Sequence, residues 1–204
     1  PRVLFGNVVR DLKPGPDEIW KDYAHKVRKN VKRARSHGLT TMMDPTGAQL
    51  AHFKNIYSMT MARRDAAEGY RFPGAFFERI VTEMAGSFTF IHVGEPSGSI
   101  VSTELVLLST SHLYSFLGGT LEASFAQRPN DLLKHDLICW GCEAELTDFV
   151  LGGGYGAEDG IFQYKLAFAP QGVRPFCVLE RLLDADTSTS LVKSRFREES
   201  NWSP

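Results

Sequence analysis

The sequence predicts a single mixed α/β domain with an antiparallel meander at its centre and helices around it. Three observations carry this expectation. The apolar period changes from helical to alternating and back along the chain. Three consecutive β-rich runs in the middle are joined by hairpin-length loops. No repeat and no Pro/Gly/Ser-rich linker divides the 204 residues, a length ordinary for one domain with its own core.

The elements follow in order. Residues 2–12 form an apolar-rich run that ends before Pro14-Gly15-Pro16, a strand followed by a turn. Asp17 can cap one long helix through Trp20, Tyr23, Ala24, Val27, Val31 and Ala34, which recur at helical spacing as far as His37-Gly38. Residues 39–43 read as a short strand. Residues 47–66 read as a second helix, with Leu50, Phe53, Ile56, Tyr57 and Thr60 inward. Pro73 opens a third helix that ends at Gly86. Residues 87–93, 99–108 and 112–117 are the meander. Residues 130–146 return to helix, 148–151 to strand, 159–168 to helix and 173–182 to strand. We expect the domain to occupy residues 1–186, with 187–204 a polar, partly helical tail.

Composition excludes several classes. Hydrophobic residues are 43% and charged residues 23%, with 14 Phe, so the chain is neither disordered nor of low complexity. No apolar run approaches the roughly 20 residues of a membrane span, and the opening Pro1-Arg2-Val3-Leu4-Phe5 reads as a strand and not as a signal peptide. The chain opens without Met, which leaves room for an upstream segment. Three cysteines are no disulfide framework and suit a reducing, cytoplasmic setting. His135, Cys139 and Cys142 share a helix face, but no second ligand cluster follows, so no metal is expected.

Three features carry candidate chemistry. Residues 21–37 hold seven basic residues against Asp22 alone, a local charge of +6 in a chain of net −1, so the remainder carries −7. On one continuous helix, Lys21, His25, Arg28, Lys32 and Arg35 would form a single cationic stripe suited to phosphates. Next, Leu151-Gly152-Gly153-Gly154-Tyr155-Gly156 leads into a helix capped by Asp159 and carrying Lys165. Glycines allow close backbone approach and a helix start favours an anion, while Lys165 can hold a phosphate, a carboxylate or a developing oxyanion. It is neither a Walker loop nor a dinucleotide fingerprint. Last, Glu104 interrupts a hydrophobic strand, where a carboxylate is costly unless exposed, paired or functional, and it would suit a general base for an amine.

With these residues in view, the chain resembles the FemAB-like branch of the GNAT acyltransferase superfamily. Asp148-Phe149-Val150-Leu151-Gly152-Gly153-Gly154 followed by Ile161-Phe162-Gln163-Tyr164-Lys165-Leu166-Ala167-Phe168 is similar to the family's strand, glycine turn and "F-K-x-x-F" helix, with Tyr164 for the Phe. Arg28 to Gly38 resembles its basic "R-x-x-I-x-x-A-x-x-x-G" helix, and Tyr57 to Arg63 its "Y-x-x-T-x-x-R" helix. Tyr114-Ser115-Phe116-Leu117-Gly118-Gly119 and Asn130-Asp131-Leu132-Leu133 resemble the central strand and the next helix.

The resemblance implies a GNAT fold and transfer of an acyl or aminoacyl group to an amine, as in cell-envelope or polysaccharide biosynthesis. It implies Lys165 in the active site, with Arg28 and Arg63 on anionic substrate. Lys32, Tyr114, Gly153 and Tyr164 complete the candidate substrate contacts, and Glu104 joins Lys165 as a candidate catalytic group. Acyl-CoA or aminoacyl-tRNA would be a co-substrate, with no tightly bound cofactor. Two departures stand out: tRNA-dependent members carry two such domains, so a homodimer or an upstream part would supply the second. The acetyl-CoA signature Gln/Arg-x-x-Gly-x-Gly/Ala is also absent after the central strand, where Gly118-Gly119-Thr120 stands. The alternative reading is a non-catalytic module that binds a phosphorylated ligand or RNA through residues 21–37, or a dimerisation module built on Phe72, Phe76 and Phe77.

Overall fold

The computed structural model describes residues 2–154 and 159–198. Tyr155 and Gly156 of the glycine turn, and the end of the tail from residue 199, lie outside the described residues. Among the described residues, strands and α-helices follow in the order β1 (Arg2–Asp11), α1 (Pro16–Asp22), α2 (His25–Ser36), β2 (Thr40–Asp44), α3 (Leu50–Arg63), α4 (Gly74–Glu83), β3 (Phe88–Gly94), β4 (Ile100–Leu108), β5 (His112–Thr120), α5 (Pro129–Glu143), β6 (Asp148–Gly152), α6 (Gly160–Leu166), β7 (Val173–Val178) and α7 (Ala185–Glu198). The strands lie in the order β2-β3-β4-β5-β6-β1-β7. This is a mixed α/β sheet of the expected class, with β2 to β5 an antiparallel meander.

Residues Gly6–Arg174 form one compact unit, and Pro1–Phe5 with Pro175–Pro204 another. Within the smaller unit the Phe5 and Phe176 rings stack at 4.7 Å, and the Asp184 carboxylate accepts the amides of Asp186 and Thr187 at the start of α7. The boundary read from the sequence at 186/187 falls in the first turn of α7.

In the larger unit, alternation along β3 splits the core in two. Phe88 and Phe90 face Phe53, Tyr57, Phe77 and Ile80 of α3 and α4. Ile91 and Val93 face the opposite core, shared by α1, α2 and α5. Asp44 seats α3: its buried carboxylate accepts the amides of Thr46, Ala48 and Gln49 ahead of the helix. Gly119 of β5 then lets α3 press close. A Cβ there would stand 2.9 Å from the Ile56 carbonyl oxygen and closer still to the Thr60 hydroxyl.

One expected element is corrected. The single helix over 17–37 is two helices, α1 and α2, because Tyr23 and Ala24 are extended, with ψ near 144° and 143°. The break is built in by tertiary contacts. The Ala24 amide donates to the Ala167 carbonyl at 3.0 Å, and the buried Arg10 pairs with Asp22 and donates to the Phe168 carbonyl. The cationic stripe is therefore broken: Lys21 lies on α1, and His25 to Arg35 on α2.

Candidate active site

Strand β5 pairs in parallel with β6 through His112–Asp148, Leu113–Phe149 and Tyr114–Val150, and no further among the described residues. Beyond Tyr114, β5 stays on β4, but an extra residue at Phe116 shifts its register, so that Val106 faces Ser115 while Leu105 faces Leu117. A pocket of about 790 Å³ occupies the ground past the last β5–β6 pair. Its walls come from the end of α3 (Thr60, Arg63, Arg64), from Glu104 of β4, from β5 after Ser115, from the start of α5 and from α6. The volume is within the range of small-molecule sites.

At the floor lies a buried charged pair. The Lys134 ammonium of α5 donates to Glu104 Oε1 at 2.5 Å and to Ser115 Oγ at 2.7 Å, with both charged side chains 5% exposed. It also stands 5.3 Å from the Phe149 ring centroid. Glu104 thus belongs to the paired class of buried carboxylates. Taking a proton there would leave the Lys134 ammonium buried without its counter-charge. This bears on the role of general base read for Glu104 from the sequence: the structure brings Glu104 into the pocket, but with its carboxylate engaged.

Lys165 of α6 reaches the same pocket. Its ammonium donates to the Gly153 carbonyl at 2.6 Å. Burial, and then the neighbouring Lys134 charge, lower its pKa to about 8, partly offset by Glu104 and Asp159. Gly152 makes room for it: a Cβ on that residue, which has a φ of +91°, would come within 3.0 Å of Lys165 Nζ. The glycine turn therefore presents a carbonyl to a lysine, and Gly153 acts through that oxygen. The start of α6 is filled by the Asp159 carboxylate, which accepts the Phe162 amide at 2.8 Å, so the anion expected at this helix end is the protein's own side chain.

At the other end, the Arg63 guanidinium lies over the Phe125 ring at 4.8 Å and donates to the Thr120 carbonyl at 3.2 Å. Thr60, one turn earlier, is 5% exposed, and its hydroxyl has no hydrogen-bond partner among the described residues. Arg128 stands at φ +64° ahead of α5. Asp131 of α5 is 7% exposed and accepts a bond from the Asn30 amide at 3.1 Å. Burial raises its pKa, against the pull of Asn30, Arg128 and Lys26.

A sequence model described as acetyltransferase (GNAT) domain matches residues 21–166. The chain belongs to this GNAT family. No curated protein sequence matches it significantly. Among solved structures, its fold is similar to that of FemX, at 14% identity and a TM-score of 0.71 over 85% of this chain and 60% of FemX. It is similar to L-PGS from Bacillus licheniformis, at 14% identity and a TM-score of 0.62 over 95% of this chain and 65% of that one. A third is the C-terminal domain of a putative lysylphosphatidylglycerol synthetase from Agrobacterium fabrum, at 14% identity and a TM-score of 0.58 over 96% of this chain and 65% of that one. At such identities the likeness is one of fold. This GNAT chain spans between 60% and 65% of the length of these structures.

The structure brings together Glu104, Arg63, Tyr164 and Lys165 of the residues singled out in the sequence. Gly153 meets Lys165 through its carbonyl, and Arg28, Lys32 and Tyr114 lie elsewhere. Arg28 donates to the carbonyls of Lys21 at 2.9 Å, Trp20 at 3.5 Å and Tyr23, closing the C-terminal end of α1. Lys32 is exposed on α2, away from the pocket walls. Tyr114 is 38% exposed and stacks on His112, outside the pocket lining. Within the pocket, the Tyr164 hydroxyl is already engaged: it accepts from the Asn130 side chain at 2.8 Å and donates to the Asn130 carbonyl at 3.2 Å. Lys134, Ser115, Thr60, Arg128 and Asp131 were missed as site residues. Lys134 and Asp131 carried no local signal, since α5 also holds Asn130, His135, Asp136 and Glu143 and its sequence does not show which of its charges are buried in the fold.

His135 and Cys139 of α5 meet at 3.8 Å, among Trp20 and Tyr23. Burial lowers the His135 pKa to about 4 and raises the Cys139 thiol to about 11. Among the described residues, no group of three or more His, Cys, Asp or Glu side chains could hold a metal ion, and no helix is long and apolar enough to cross a membrane.

Proposed function

We propose that this chain is an N-acyltransferase that moves an acyl or aminoacyl group onto a primary amine in the pocket past the β5–β6 pairs. The observation that carries the reading is Lys165: a half-buried lysine with a pKa lowered to about 8, beside a desolvated ion pair, in the pocket of a GNAT domain. An ammonium has three donors. One is spent on Gly153, which leaves Lys165 able to hold the acyl carbonyl oxygen as negative charge develops there.

The reaction balances without a covalent enzyme intermediate. The acceptor ammonium loses a proton, and its nitrogen lone pair attacks the acyl carbon. The bond to the donor sulfur or oxygen then breaks, and the leaving thiol or hydroxyl takes up the second nitrogen proton. Arg63, Arg64 and Arg128 in the pocket lining suit the phosphates of an acyl-CoA or an aminoacyl-tRNA donor. Lys134 keeps Glu104 and Ser115 in place, so Glu104 acts in this scheme as the counter-charge of Lys134.

The test is a transfer assay with acyl-CoAs and charged tRNA against a panel of primary amines. Lys165→Ala is expected to lower transfer about 100-fold or more. Full activity in that variant on an identified pair of substrates would remove Lys165 from the mechanism. A second reading is favoured by the exposed Lys26, Lys29, Lys32 and Arg33 of α2, which have no ion-pair partner among the described residues: a module that binds a polyanion without turnover. Salt-sensitive RNA binding with no transfer from any donor would decide for it.

A further inference from the structure

Among the described residues, three carboxylates line the pocket, and they are compensated in different ways. Glu104 has the Lys134 ammonium at 2.5 Å. Asp159 is spent on the first turn of α6. Asp131 is buried too, at 7% exposure, yet the side chain that holds it is a neutral amide, Asn30 at 3.1 Å. No cation stands within ion-pair distance of it among the described residues. A buried carboxylate in a pocket wall without a cation is complementary to a cation that arrives from outside.

We propose that Asp131 is the subsite for the acceptor's ammonium group: it selects a protonated primary amine and takes its proton before attack. In that step an N–H bond of the ammonium breaks, an O–H bond forms on Asp131, and the freed lone pair is the nucleophile. The inference rests on the transferase reading for the second half of the step, and stands without it for the first.

The surroundings suit both halves. Asn30 on α2 orients the carboxylate through one N–H, the backbone amide of Asp131 itself helps to hold it, and a carboxylate has acceptor sites beyond these two for an ammonium. Lys26 of α2 and Arg128 ahead of α5 act on it from a distance and favour its charged form, against the burial that disfavours it. From α6, Tyr164 faces it with a hydroxyl tied to Asn130, and Lys165 enters the same pocket. Lys134, one turn further along α5, is neutralised by Glu104 from β4 and does not compete for Asp131. Among the described residues the pocket thus offers Arg63 to an anionic group and Asp131 to the amine.

The experiment uses the full chain and n-butylammonium chloride as probe, with n-butanol and sodium chloride as controls, read by thermal shift. The ammonium is expected to stabilise the fold and the alcohol is not. Asp131→Asn is expected to weaken the response about ten-fold or more, and Asp131→Glu to keep part of it. Equal shifts from ammonium and alcohol, or an unchanged response in Asp131→Asn, would overturn the proposal. Should Asp131→Asn not fold, the wild-type pH profile decides. The probe stays charged well past neutrality, so its effect must fade on acidification as the carboxylate takes a proton, and a flat acid limb sinks the idea. An ammonium that binds through Asp131 but accepts no acyl group from any donor would refute the transferase reading and leave the subsite standing.

Discussion

Helix α2 and the pocket are both rich in positive charge, and the two use it in opposite ways. On α2, Lys26, Lys29, Lys32 and Arg33 point into water, where each charge is solvated and screened within about 10 Å. In the pocket, Lys134 and Lys165 are held in protein, each against a named oxygen, and one of them has its pKa lowered to about 8. Charge counted along the chain makes α2 the more conspicuous of the two. Desolvation makes the pocket the more consequential, because an interaction at low dielectric is several times stronger than the same one in water. Arg28 shows how α2 spends part of its charge internally, as a cap on the carbonyls of α1.

The largest effect that sharpens this contrast is expected at the buried pair. Lys134→Ala should cost about 3–5 kcal/mol by denaturant unfolding, since it strands the Glu104 carboxylate. The double change Lys134→Met with Glu104→Leu should restore most of that stability without restoring transfer. A double variant as unstable as the single one would break the account of the pair. The next effect is on pH. Lys165 acts as an ammonium, so activity should fall as pH rises through about 8, and the alkaline limb should disappear in Lys165→Arg. A limb that rises through the same range would make Lys165 a base instead.

Gly119→Ala comes third. Its methyl would push α3 away from β5 at Thr60, for about 1–3 kcal/mol of stability and a misplaced Arg63. The smallest effect belongs to α2: Lys29→Glu with Lys32→Glu should change stability by no more than about 0.5 kcal/mol per site. If instead these reversals abolish transfer at low salt and not at high salt, α2 takes part in binding a polyanionic donor, and the contrast drawn here weakens.

Much of the fold was legible because its causes are local. Each of the three runs read as a meander became a strand, and Pro73 and Gly86 bracket α4 as turn chemistry requires. The break between α1 and α2 was not legible. It depends on Arg10, Asp22 and the carbonyls of Ala167 and Phe168, and two of those residues lie far along the chain. Of the site, Lys165 could be found because glycines and an acidic cap announce its helix. Asp131 could not, because Asn30 lies 101 residues away.

Periodicity and turn residues act over a few positions, and they specify the class of the domain, the order of its elements and the helix that carries Lys165. Which charges are partnered depends on contacts between distant parts of the chain. Glu104 meets Lys134 across 30 residues, Arg28 closes a helix, and Asp131 is left facing the pocket with an amide. A buried charge must be compensated wherever the fold brings a partner, and the partner's place in the chain carries no sign of it.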